Sequence, residues 1–151
     1  MSATRLPDLP VTFRPTRTRV VLLTVGTVMF AVITAVALAL EKLSPGERAS
    51  FVLTAALFLG VLALLSRPKV EADETGVTVV NLTRTRRLAW AEILRVNLRE
   101  GDPWVFLDLS DGTSLPALGI QPGIAKQQAI RDAQALRALV EARGSGTEEP
   151  R

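Results

Sequence analysis

Cysteine and histidine are both absent from the sequence. Without cysteine the chain can form no disulfide and offers no thiol nucleophile. Without either residue it cannot build a His- or Cys-ligated zinc, iron or copper site. A Ser–His or Cys–His catalytic pair is excluded for the same reason, and a Gly-rich phosphate-binding loop is missing as well. We therefore expect no metal, no cofactor and no catalytic residues, and the sequence does not favour an enzyme.

Basic residues are in excess, but the excess is confined to one segment. The chain has 18 basic and 15 acidic side chains. Residues 1–19 carry four arginines against one aspartate, a net charge of +3, whereas residues 41–48 and residues 67–151 are each neutral. Such a balance is not typical of a surface that binds nucleic acid, so we expect no nucleic-acid partner.

Two long uncharged runs, residues 20–40 and 49–66, dominate the first half of the chain. A helix rises about 1.5 Å per residue, so helices of this length suit a hydrocarbon core of roughly 30 Å. The polar stretch at residues 44–47 (Ser-Pro-Gly-Glu) is typical of a turn followed by a helix start. We predict a two-span transmembrane hairpin over residues 19–66, integral to the lipid bilayer.

Basic side chains flank the predicted hairpin on both sides. Three arginines precede the first run and Arg67 and Lys69 follow the second, while the loop between the runs is neutral. The positive-inside rule then predicts a multi-pass protein of the cell (inner or plasma) membrane with both termini in the cytoplasm. A cleaved signal peptide is the alternative, because residues 37–39 (Ala-Leu-Ala) resemble a cleavage site, but the second run favours an anchored hairpin.

Small residues recur at every fourth position in both runs, a spacing that lets helix backbones approach closely in lipid. Two interpretations stay open: the two faces pack the hairpin on itself, or one of them forms a homo-oligomer or docks on another membrane protein. The absence of charge within the runs argues against a transport path. The candidate packing residues are Thr27, Ala31, Ala35, Ala39, Ala56 and Gly60.

The remaining segments predict two tails and one domain. Proline-rich residues 1–18 are expected to be a disordered cytosolic arm, and residues 144–151 a flexible tail. Residues 67–143 predict six or seven short antiparallel strands followed by one amphipathic helix from about residue 124. We expect Leu94, Val96 and Leu98 to share one side of one strand, and Val105, Leu107 and Leu109 to form the inner face of the next.

The order of these motifs resembles a known family, the small bacterial membrane proteins with a pleckstrin-homology (PH) domain, and especially an actinobacterial group of them. The likeness covers roughly residues 14–143. It implies a PH-like domain, an antiparallel β-sandwich or barrel of two nearly orthogonal sheets capped by a C-terminal α-helix. The residues that carry the resemblance most clearly are Asp73, Gly76, Arg87, Trp90, Ile93, Gly112 and Leu115.

The candidate partner or lipid surface consists of Arg84, Arg86, Arg87, Trp90 and Trp104. The arginines could contact anionic lipid head groups, or they could be a solvated strand edge. Trp90 could form a corner that contacts a partner, or it could pack in the core. Eukaryotic PH domains that bind phosphoinositides usually place lysine and arginine in the first hairpin loop. The corresponding loop here, residues 73–76, is acidic, so we expect no specific phosphoinositide recognition.

Two functions follow as hypotheses. The first is a membrane-anchored, non-enzymatic interaction or scaffold module whose cytosolic PH-like domain binds a protein partner or the inner-leaflet surface. The second is an accessory subunit of a membrane enzyme or transporter, with the hairpin as the binding part. The partner is a membrane protein or a cytosolic protein, and a homo-oligomer stays open.

Overall fold

The computed structural model describes residues 5–144 of the 151 residues and divides the chain into two compact units. One unit is Thr16–Arg67, and the other combines the residues up to Pro15 with those from Pro68 onward. Two apolar helices are followed by two antiparallel sheets and a C-terminal helix, so the predicted fold class is confirmed.

The two uncharged runs form long helices, α1 (Thr16–Ala39) and α2 (Pro45–Leu65). Ser44 begins α2 with a capping box. Its hydroxyl accepts a hydrogen bond from the Glu47 N–H (3.2 Å), and the Glu47 carboxylate accepts one from the Ser44 N–H (2.8 Å). Both helices are long and apolar enough to cross a membrane.

The two helices pack on each other through a face that differs from the one predicted from the small residues at every fourth position. Its buried residues are Gly26 and Ala37 on α1 and Ala55 on α2. A β-carbon at position 26 would lie 3.0 Å from the side chain of Leu59 and 3.1 Å from that of Leu62. Glycine at this position therefore lets the two helices approach each other closely.

The predicted packing residues lie on the outer surface of the hairpin instead. Adjacent helical positions differ by about 100° around the axis, so a face chosen one position away points out of the interface. The interpretation that these residues pack the hairpin on itself is therefore wrong, and a contact with another chain stays a prediction. The exposed residues are Thr27, Ala31, Ala35, Ala39, Ala56 and Gly60.

Seven strands and one helix make up the other unit within the described residues. The first sheet has the strand order β1-β2-β3-β4 and the second the order β5-β6-β7. The helix α3 packs against β5. The bounds are β1 Val11–Phe13, β2 Lys69–Ala72, β3 Gly76–Val80, β4 Thr85–Ala89, a 3-10 helix Trp90–Glu92, β5 Ile93–Asn97, β6 Val105–Leu109, β7 Ser114–Ala117 and α3 Lys126–Gly144.

The strand β1 lies in the segment that the sequence predicts to be a disordered arm. Residues 11–13 pair antiparallel with β2, with Phe13 opposite Val70. Phe13 is buried in the core at 5% exposure. The prediction is wrong for residues 5–18, since the chain there passes through β1 and enters α1 at Thr16; residues 1–4 lie outside the described part. A β-branched and aromatic triplet suits a strand, and β2 offers it a partner.

The pairing of β1 with β2 makes the helical hairpin an insertion within the domain. These two strands are neighbours in the first sheet, yet residues 14–68 separate them in the chain. The folded domain is therefore built from two segments, one before α1 and one after α2, rather than from residues 67–143 alone.

The inner residues of β6 and the apolar face of α3 are buried as predicted. Leu107 and Leu136 are fully buried, and they share one core with Phe13. Gly76 permits a close crossing, because a β-carbon there would lie 2.1 Å from the carbonyl oxygen of Leu88. Gly144 ends α3, and the predicted flexible tail beyond it lies outside the described residues.

One strand departs from the expected alternation. Leu94 is 65% exposed although it was expected to lie on the same side as Val96, whereas Ile93 and Val96 are buried. The register between β5 and β6 shifts between Ile93 and Arg95, which is the signature of a bulge. The extra residue turns Leu94 outward, so the prediction for Leu94 is wrong.

We expect the domain to need its first strand for stability. A variant in which a short Gly-Ser loop replaces residues 16–67 should melt cooperatively, because it keeps β1 next to β2. The fragment of residues 68–144 should melt at a clearly lower temperature, because it lacks Phe13 in its core. Thermal denaturation followed by circular dichroism compares the two, and equal melting temperatures would show that β1 adds nothing.

Substitution within β1 separates core packing from strand pairing. Phe13→Ala in the loop-closed variant should lower the free energy of unfolding by about 3 kcal/mol, as expected for a large-to-small change in a core. Thr12→Ala is the matched control, since Thr12 is exposed in the same strand and a surface change should stay within about 0.5 kcal/mol. Chemical denaturation measures both, and a similar small effect for both would mean that Phe13 is not part of the core.

Candidate functional site

The three candidate arginines do not form one basic patch. Arg86 and Arg87 are consecutive in β4, so they point to opposite faces of the sheet. Arg86 lies opposite Val79 and Arg87 opposite Thr78. Arg84 lies in the turn before β4, where its carbonyl accepts a hydrogen bond from the N–H of residue 81.

The guanidinium of Arg87 is engaged within the fold. Its two Nη atoms each donate to a carboxylate oxygen of Asp73 at 2.7 Å, and further bonds reach the hydroxyls of Thr78 (2.8 Å) and Thr75. Asp73 also accepts from the N–H groups of Thr75 (2.8 Å) and Gly76 (3.0 Å). These bonds, above all those from Arg87, hold the pKa of the Asp73 carboxyl well below its usual range. Arg87 therefore closes the β2–β3 turn, and its Nη donors are used there.

Arg86 and Arg84 differ in their surroundings. Arg86 lies 3.7 Å from a carboxylate oxygen of Asp111, and both side chains are about half exposed, at 45% and 53%. The same carboxylate accepts from the N–H and hydroxyl of Thr113, and these bonds lower the pKa of Asp111. Arg84 is exposed, and its side chain has no hydrogen-bond or ion-pair partner within residues 5–144. Of the three arginines, Arg84 is the one free to contact a ligand.

Trp90 lies in the core rather than at a surface corner. It is 6% exposed, and its Nε1 donates to the Asp73 carbonyl at 3.0 Å. The neighbouring Glu92 is exposed and accepts a hydrogen bond from the Ala89 N–H (2.6 Å). A buried indole cannot be a contact residue unless the domain opens, so the structure removes Trp90 from the candidate surface.

Trp104 is partly exposed on the second sheet. Its ring lies 6.4 Å from the ring of Phe106, measured between centroids, at an interplanar angle of 50°. Its Nε1 is buried and has no hydrogen-bond partner among the described residues. Trp104 therefore remains a candidate contact residue.

Two polar side chains join the sheets and the helix in ways that the sequence does not reveal. Asn81 bridges to the second sheet, donating to the Pro116 carbonyl (2.8 Å) and accepting from the Leu118 N–H (3.1 Å). Arg137 of α3 donates to the Val96 carbonyl of β5 at 3.0 Å. Both contacts join residues more than thirty positions apart. The sequence predicts only that Asn81 belongs to a strand and that Arg137 faces water.

The acidic loop at residues 73–76 is not the first loop of the domain. The first connection of the domain runs from β1 to β2 and contains both apolar helices, so residues 73–76 form the second connection. The comparison with the first loop of phosphoinositide-binding PH domains therefore used the wrong loop. The absence of specific phosphoinositide recognition stays a prediction that the acidity of this loop does not support.

The ion pair of Asp73 and Arg87 should give the stability of the domain a specific pH dependence. Asp73 has a lowered pKa in the folded state. Its stabilising contribution is therefore present above the unfolded pKa of about 3.9 and is lost as the pH falls below it. Asp73→Asn should lower the melting temperature near neutral pH, and the difference from the unchanged protein should shrink below about pH 4. Glu100→Gln is the control for losing one exposed carboxylate, and a constant difference for Asp73→Asn at all pH values would contradict the assignment.

Comparison with known proteins agrees with this architecture. The family model described as bacterial PH domain matches residues 67–139. Uncharacterized proteins of Mycobacterium tuberculosis and Mycobacterium bovis are 30% identical over 81 residues, which are 54% of this chain and 52% of each relative. The chain thus spans about half the length of the curated relatives that it matches. No solved structure matches.

The match begins at residue 67, whereas the sheet in the structure begins at β1. The matched region contains β2 to β7 and most of α3, and β1 completes the first sheet from the other side of the hairpin. Residues 67–139 therefore belong to a PH-like domain that is similar to the family described as bacterial PH domain.

Proposed function

We propose that this protein is a membrane-anchored, non-enzymatic interaction module, in which a bacterial PH domain is held at the cytoplasmic face of the cell membrane by a hairpin inserted between its first two strands. The PH domain supports an interaction role, because PH domains are generally non-catalytic interaction modules. The polar groups identified at its turns support the same role, since they bond to one another and to the backbone.

The pairing of β1 with β2 carries the proposal. Phe13 lies opposite Val70, so the residues that enter α1 and leave α2 start from adjacent strands. If the helices cross the bilayer, both ends of the hairpin must then lie on the same side. A chain with its two flanks on opposite sides could not form this sheet.

The distribution of charge supports the cytoplasmic side. Arg14, Arg17 and Arg19 precede or begin α1, and Arg67 and Lys69 follow α2, whereas the loop between the helices is neutral. Basic flanks are retained in the cytoplasm during membrane insertion. The pairing of β1 with β2 supports placing both flanks on one side of the membrane, and the charge rule supports the cytoplasm as that side. Together they support an N-in, C-in arrangement.

An accessory subunit of a membrane enzyme or transporter is the second candidate. The exposed small residues of the hairpin favour it, because the hairpin does not use them for its own packing. Ala31 and Ala35 on α1 and Gly60 on α2 leave room for another helix backbone. In this case the hairpin, rather than the PH domain, would hold the partner.

Exchange of the hairpin distinguishes the two candidates. Residues 16–67 are replaced by an unrelated two-span hairpin, and proteins crosslinked to the PH domain in native membranes are compared with those of the unchanged protein. An interaction module should keep its crosslinked partners, whereas an accessory subunit should lose them. The matched control keeps the hairpin and carries Ala31→Leu and Ala35→Leu, which should disturb the subunit and leave the module unaffected.

The topology can be tested with reporters. Alkaline phosphatase, which is active only outside the cytoplasm, should be inactive when fused after Arg151 and active when inserted at Pro45, because the loop lies outside and both termini lie inside. Extraction at high pH should leave the protein in the membrane pellet. Phosphatase activity after Arg151 would contradict the arrangement.

A further inference from the structure

Two short connections join one end of the first sheet to the two helices. Two residues separate β1 from α1, and three separate α2 from β2. An extended residue spans at most about 3.6 Å, so neither connection can reach further than roughly 15 Å. If the helices span the bilayer as proposed above, the end of the sheet where β1 stops and β2 starts must lie near the membrane surface. We call this end the junction end.

The β3–β4 turn lies at the junction end of the first sheet. Val80, the last residue of β3, pairs with Lys69 at the start of β2 and with Thr85 at the start of β4. Residues 81–84 form the turn between them. Arg84 therefore belongs to the junction end, whereas Asp73 in the next turn lies at the opposite end of the same sheet.

The second sheet contributes Trp104 to the junction end. Residue 119 packs so closely on the start of β2 that a β-carbon there would lie 2.5 Å from Lys69. The next residue, Ile120, accepts a hydrogen bond from the Val105 N–H at 3.0 Å. Trp104 directly precedes Val105 and is thus held at the same end as the β3–β4 turn.

The start of α3 lies there too. The side-chain amide of Gln128 donates to the Arg14 carbonyl at 2.9 Å, and Arg14 directly follows β1. Lys126, in the first turn of α3, is exposed and has no partner within residues 5–144. Ile124, just before the helix, is 59% exposed.

The junction end therefore combines two kinds of side chain that suit a lipid surface. Arg84 and Lys126 are free bases, which anionic head groups attract. Trp104 and Ile124 present apolar surface, and tryptophan is enriched at membrane–water interfaces. At the opposite end of the first sheet, the acidic residues Asp73 and Glu74 are bound to arginines.

We propose that the junction end is a leaflet-contacting surface, in which Arg84 and Lys126 bind anionic lipid head groups while Trp104 and Ile124 rest at the interface, so that the PH domain is held in a fixed orientation on the membrane. This inference rests on the proposed membrane anchoring. The proposed surface keeps Arg84 from the three candidate arginines and leaves out Arg86 and Arg87, which are not part of the junction end.

The absence of cysteine makes the test direct, because a single introduced cysteine carries the only label. The full-length protein is reconstituted into phosphatidylcholine vesicles with and without phosphatidylglycerol. A spin label is attached at Thr83→Cys, beside Arg84, or at Ala91→Cys, an exposed position near the opposite end. Collision with a water-soluble relaxation agent then measures how accessible each label is.

The proposal predicts that phosphatidylglycerol lowers the accessibility at Thr83→Cys by at least half and leaves that at Ala91→Cys unchanged. Arg84→Gln with Lys126→Gln should abolish this protection, as should salt near 1 M, where the Debye length falls to about 3 Å. Arg86→Gln with Arg95→Gln is the control that removes two positive charges from residues within β4 and β5, and it should retain the protection.

Two results would overturn the proposal. Equal accessibility at Thr83→Cys in both kinds of vesicle would show that the covalent connections to the helices alone position the domain. Protection that survives Arg84→Gln with Lys126→Gln would show that these bases are not responsible. Flotation of the vesicles after a high-pH wash tests the anchoring separately: protein that floats but shows no protection rejects this inference alone, and protein that does not float rejects the proposed function.

Discussion

The antiparallel pairing of β1 with β2 is the contact on which the rest of the structure depends. Three residues before the hairpin supply an edge strand and the buried ring of Phe13 to a sheet whose other strands all follow the hairpin. The hairpin leaves and re-enters the same sheet, so its two ends are joined to adjacent strands of that sheet.

The same constraint divides the polar residues of the domain by position. At the end away from the hairpin, Asp73 and Arg87 bind each other and close a turn. Their opposite charges therefore have a structural role. At the end where the hairpin joins the sheet, the side chains of Arg84 and Lys126 have no charged partner among residues 5–144. A dense basic segment such as residues 84–87 therefore has no single role, because its members point to different faces and meet different partners.

Local pattern was enough to predict the two apolar helices, the PH-like domain, the inner face of β6 and the buried face of α3. It failed where the outcome depended on distant residues. The triplet at residues 11–13 is too short to predict a strand unless its partner, 57 or more residues away, is known. The bulge in β5 turns Leu94 outward, and no glycine in the sequence indicates that a bulge occurs there. The spacing of small residues at every fourth position could not distinguish the packed face of α1 from the neighbouring face. Trp90 illustrates the same limit, since only the fold shows that its indole reaches the Asp73 carbonyl.

The most direct test of the account is a disulfide across the hairpin. Thr12 and Glu71 lie directly opposite each other in β1 and β2, so Thr12→Cys with Glu71→Cys should oxidise to a disulfide in the full-length protein in native membranes. A protease site placed at residues 41–43 then allows the chain to be cut between the helices. The account predicts that the two halves stay together on a non-reducing gel and separate after reduction, whereas the control Thr12→Cys with Thr78→Cys, one strand further away, gives separate halves in both. Separation of the Thr12→Cys and Glu71→Cys halves without reduction would contradict the pairing and the insertion of the hairpin into the domain.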